Sequence, residues 1–112
     1  MVTIHLLSDS LGETADAVAR AVAAQFPPGA FRLERLPKVD SAEQLREMVA
    51  SHCGEHCIFF YTLIEEHLLA EMRQLVSEGR VRGVDILGPG IELLAGVTNL
   101  EPRGQAGAIR QA

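Results

Sequence analysis

Apolar residues arrive in short blocks separated by polar turns, and the period within the blocks alternates between that of a strand and that of a helix. Val2 to Leu7 is a short, mainly apolar run followed immediately by turn residues, the pattern of a buried parallel strand. From Glu13 to Phe26, Ala15, Val18, Ala19, Val22 and Phe26 recur at helical spacing until Pro27-Pro28-Gly29 interrupts them. Phe31 to Leu36 alternates in part and reads as an edge strand. Ser41 and Gln44 have the spacing of a capping box ahead of Ala42, Leu45, Met48, Val49 and His52, the stripe of a second helix. Cys57 to Tyr61 is nearly all apolar or aromatic and predicts the central strand.

Thr62 with Glu65 repeats the box and opens a third helix, with Ile64, Leu68, Met72, Leu75 and Val76 inward and Gly79 at its end. Val81 to Leu87 predicts a fourth strand. Gly88-Pro89-Gly90 then leads into a shorter helix with Ile91, Leu94 and Ala95 facing in. After Leu100 the periodicity fades. Residues 1–100 therefore read as one domain, and 101–112 as a flexible tail or the start of an interdomain linker.

Strands alternating with helices imply right-handed crossovers and an open, mainly parallel four-stranded sheet with helices on both faces, Rossmann- or flavodoxin-like. The expected order is 2-1-3-4, with the alternating strand at an edge. In that order the first and third strands lie side by side where the winding reverses, and open α/β sheets bind ligands above the carboxyl ends at such a crevice. The turns meeting there are Ser8 to Glu13 and Tyr61 to Leu63. Ser10 and Glu13 have capping-box spacing, but capping leaves Ser8, Asp9 and Gly12 unexplained. A hydroxyl-rich helix start facing a crevice suits an anion, because free amides and the positive end of the dipole converge there. Asp9 opposes that reading, since a carboxylate repels phosphate.

Composition narrows the chemistry. A net charge of -5, from 10 basic and 15 acidic residues, argues against a duplex-binding surface. The clusters Arg32, Arg35, Lys38 and Arg80, Arg82 read as solvated sheet edges. No stretch approaches membrane-spanning length and the N-terminus has no charged leader, so a cytoplasmic address is expected, with no membrane partner. The two cysteines, Cys53 and Cys57, suit free thiols. "SHCGEHC" holds His52, Cys53, His56 and Cys57, but the spacing departs from a zinc knuckle and a helix end with a core thiol is the simpler account. A Walker loop is excluded, because the sole lysine, Lys38, follows Pro37 rather than glycine. Asp9-Ser10-Leu11 is similar to the nucleophile block of GDSL-type esterases, yet no histidine follows an aspartate at the required spacing.

The ordered blocks "SDSLGETADAVARAVAAQF", "FFYTLIEEHL" and "VDILGPGIELL" resemble the N-terminal part of the pyruvate, phosphate dikinase and phosphoenolpyruvate synthase regulatory proteins. The likeness covers nearly the whole chain. Ser8, Asp9, Ser10, Gly12, Glu13 and Thr14 match the family's opening turn, while Leu11 stands where threonine is usual. The resemblance implies a bifunctional serine/threonine kinase and pyrophosphorylase in the complete protein, using ADP to phosphorylate the target and inorganic phosphate to reverse the reaction. It also implies a catalytic P-loop in a separate C-terminal domain, so that this chain alone is inactive in phosphoryl transfer. On this reading Ser8, Asp9, Ser10, Gly12, Glu13, Thr14, Tyr61 and Thr62 contact phosphate, nucleotide or the target enzyme. No catalytic residue and no metal ligand are assigned. The alternative is a homodimerisation module whose turn only caps a helix.

Overall fold

A computed structural model of the chain describes residues 1–52 and 58–111. The elements follow the expected alternation: β1 (Val2–Ser8), α1 (Glu13–Ala23), β2 (Phe31–Leu36), α2 (Ala42–Ser51), β3 (Ile58–Thr62), α3 (Glu66–Ser77), β4 (Arg82–Asp85) and α4 (Gly88–Thr98), then a short 3₁₀ turn at Ala108–Gln111. The four strands form one sheet in the order β2-β1-β3-β4, and every pairing is parallel. The partly alternating β2 lies at an edge, as its pattern predicts. The proposed start of β3 at Cys57, and the metal-ligand reading of Cys53, His56 and Cys57, lie outside the described residues.

Period-two alternation divides the central strands between two cores. Ile4 and Leu6 point to one face, where they meet Ala15 and Ala19 of α1, with Phe31, Leu33, Ile58 and Phe60 packed alongside. Leu7, Phe59 and Tyr61 point to the other face, against Leu45 and Val49 of α2 and Leu68, Met72 and Leu75 of α3. Two-sided burial explains why β1 and β3 are mostly apolar whereas β2 and β4 are mixed.

Three boundaries differ from expectation for physical reasons. Helix α1 stops at Ala23, before Phe26, which remains half exposed and stacks edge-on against Phe31. Helix α3 starts at Glu66 and leaves Ile64 in the preceding loop. Strand β4 spans four residues, because the Asp85 carboxylate accepts from the Gly88 amide at 2.7 Å and turns the chain directly into α4. Helix α4 departs furthest from its pattern: Leu94, expected inward, is 66% exposed.

Candidate functional site

The exits of β1 and β3 meet above the carboxyl end of the sheet, and one side chain joins them. Asp9 leaves the end of β1 and its Oδ2 accepts from the amides of Ile64 and Glu65, each at 2.8 Å. Those amides lead into α3, so the carboxylate serves as a helix cap supplied from a neighbouring loop. This replaces the expected Thr62–Glu65 box: the cap position is Glu65, whose side chain makes no capping bond. An acceptor delivered by tertiary structure supersedes the local one. The two amides and the positive end of α3 attenuate the repulsion that Asp9 would exert on an anion, but its charge remains in the cleft wall.

The Ser10–Glu13 box is absent as well. The cap of α1 is Gly12, in the left-handed region at φ 82°, and a glycine brings no side-chain acceptor to the first turn. Ser8 Oγ instead accepts from the Ser10 amide at 2.9 Å and shapes the turn from within. By contrast, the Ser41–Gln44 box of α2 forms. Ser41 Oγ accepts from the Gln44 amide at 3.0 Å, and Gln44 Oε1 reaches back to the Asp40 amide at 2.8 Å.

A third connection enters the same place. The Lys38 amide donates to the Ser10 carbonyl at 2.8 Å and the Val39 amide to the Ser8 carbonyl at 3.0 Å, so the loop after β2 braces the turn. Lys38 itself adopts a left-handed φ of 59° to make this contact. On the outer side Arg35 lies against the turn, its Cδ 3.8 Å from where a Cβ on Gly12 would sit. Its Nε is 3.1 Å from Asp16 Oδ2, while Arg20 Nε is 2.6 Å from Asp16 Oδ1. The Arg20 and Arg35 guanidiniums together hold the Asp16 carboxyl below its ordinary range. The Asp16 carboxylate is thus shared by two guanidiniums on this flank of the turn.

The turns open into a cleft of about 1250 Å³. Ser8, Asp9, Ser10, Gly12, Glu13, Thr14 and Thr62, all expected at the site, line it together. Tyr61 does not. It points to the α2/α3 face, where it is buried in the core, and burial raises its hydroxyl pKa above the ordinary value. Strand parity explains this: Thr62, one residue later, is the position that reaches the cleft. The rest of the wall comes from α3, α4 and the terminal segment, including Leu69, Arg73, Ile91 and residues 101–105. Nothing in the turn motifs points to these residues, since their place depends on how α4 lies over the sheet end. No histidine is among the described lining residues.

Comparison with known proteins gives a consistent result. The family model described as kinase/pyrophosphorylase matches residues 4–112. A protein of Syntrophomonas wolfei named as a pyruvate, phosphate dikinase regulatory protein 2 is 34% identical over 108 residues, 96% of this chain and 40% of the relative. Similarly named proteins of Desulfitobacterium hafniense and Oceanobacillus iheyensis are 37% identical over 102 residues and 33% identical over 108, covering 37% and 40% of their lengths. The chain thus spans about two-fifths of the length of the curated relatives it matches.

Proposed function

Because the chain belongs to the kinase/pyrophosphorylase family, we propose that it forms the phosphate-contacting part of a regulator of pyruvate, phosphate dikinase or phosphoenolpyruvate synthase. The complete regulator would phosphorylate a threonine of its target with ADP and remove the phosphoryl group with inorganic phosphate. Its catalytic P-loop would lie in a separate C-terminal domain, for this chain contains no glycine-lysine loop and its one lysine, Lys38, is exposed on the loop after β2. The chain's own role is to bind, not to transfer.

The observation that carries this reading is the junction at Asp9. By bonding the amides of Ile64 and Glu65 it holds the exits of β1 and β3 against each other, and it leaves Ser8, Ser10, Thr14 and the start of α1 on one wall of the cleft. Backbone amides at a helix start and hydroxyls suit phosphate oxygens. The apolar far wall, with Ile64, Leu69 and Ile91, suits the flat part of a nucleotide.

Calorimetric titration of the 112-residue chain with ADP, phosphate and pyrophosphate tests the reading. Saturable heat is expected with at least one of them, and Gly12→Ala should weaken it at least tenfold by straining the turn. No heat with any of the three at millimolar concentration would reject a small-molecule site.

A further inference from the structure

Helix α4 is unlike the other three. The outer sides of α2 and α3 carry Glu43, Arg46, Glu47, His67 and Gln74, whereas α4 has one charged residue, Glu92, and that is engaged by Arg73 at 2.7 Å. Leu93 is 66% exposed and Val97 is 75% exposed, and neither lines the cleft, whereas the exposed Leu94 and Leu100 belong to its wall. Leu93 and Val97 stand four residues apart and so share one side of the helix. Toward the sheet α4 contributes little: Gly88 is its sole buried residue, with Ile91 and Ala95 half-buried. A helix that is apolar around most of its circumference belongs between two layers, and here the second layer is missing.

We propose that the outer face of α4, centred on Leu93 and Val97, is a docking surface for the polypeptide that the longer members of this family carry beyond the matched segment. One observation chooses this occupant over a second copy of the chain: the curated relatives hold about three-fifths of their length outside the match. The segment after α4 lies on the other side of the helix, along the cleft, where Leu100 to Gln105, Gly107, Ala108 and Ile109 form part of the wall and leave the patch uncovered. A tethered partner meets the surface at an effective concentration in the millimolar range. A few aliphatic side chains suffice under that condition, whereas a free second copy would bear the full loss of rotational and translational freedom. The proposal is independent of whether the cleft binds phosphate.

The test compares hydrogen exchange in the 112-residue chain with that in the product of the complete reading frame. Amides of 91–98 should exchange at least tenfold more slowly in the complete product. The pair Leu93→Asp and Val97→Asp should return that exchange to the rate of the short chain, while leaving the melting temperature of the short chain unchanged. Equal rates in the two proteins would overturn the proposal, as would a reading frame ending at Ala112. So would a concentration-dependent dimer of the short chain, seen by sedimentation and abolished by Leu93→Asp, because the occupant would then be a second copy.

Discussion

Removing the carboxylate of Asp9 should loosen the chain more than any other single polar change at the sheet end. Its Oδ2 accepts two backbone amides at 2.8 Å from a loop 55 and 56 residues away in sequence. Bonds to a charged acceptor contribute about 1.5–3 kcal/mol each. The cleft is open to water, which would solvate part of what Asp9→Ala exposes, so the expected loss is about 3 kcal/mol rather than the full sum. Asp9→Asn retains an acceptor for the Ile64 and Glu65 amides but sacrifices the charge. Its amide nitrogen would occupy the place of Oδ1, a buried atom with no hydrogen-bond partner among the described residues. That variant should cost about 2–3 kcal/mol, from the lost charge and a buried donor left unpaired. Urea unfolding followed by circular dichroism measures both: with m near 1.5 kcal/mol/M, the alanine midpoint falls by roughly 2 M. If alanine and asparagine both shift stability by less than about 0.5 kcal/mol, the junction does not hold the two exits together, and the account of the cleft fails.

Further outcomes follow from other contacts. Ser41→Ala removes the cap of α2 and should cost about 1 kcal/mol in the same unfolding assay. Gly88→Ala places a Cβ against the Asp85 carboxylate at the head of α4, 2.6 Å from Asp85 Cγ, and should destabilise the chain by about 1–3 kcal/mol, read by thermal melting. His5 is buried between Phe59 and His52, and burial lowers its pKa below the ordinary 6.5, with the Glu34 carboxylate opposing the shift and the His52 and Arg32 charges adding to it. The unfolded chain therefore takes up this proton first as pH falls, and stability complete above about 6.5 should decline below it. Denaturant midpoints between pH 7.5 and 5 would show the slope, and His5→Gln should flatten it. Asp16 works at lower pH: Arg20 and Arg35 depress its pKa, so stability present above the unfolded value near 3.8 is lost as pH falls through the folded one. Asp16→Asn should reduce the acid sensitivity of the melting temperature in that range.

The alternation of apolar blocks determined the class of fold, the parallel sheet and its order, because burial on both faces of β1 and β3 favours mostly apolar runs and each helical stripe fits one side of them. The same pattern located the turn from Ser8 to Thr14 at a carboxyl end. What the turn does with its side chains was decided elsewhere. Local spacing offers Ser10 and Thr62 as caps, but the chain uses Gly12, and it uses Asp9 on a helix more than fifty residues away, since an acceptor brought by folding can satisfy amides that a neighbour in sequence would otherwise cover. Strand parity placed Thr62 at the cleft and Tyr61 in the core, which the run of apolar letters alone does not distinguish. Helix α4 is a tertiary result of the same kind: Ile91, Leu94 and Ala95 read as inward, and in the fold Ile91 and Ala95 are half-buried while Leu94 is exposed.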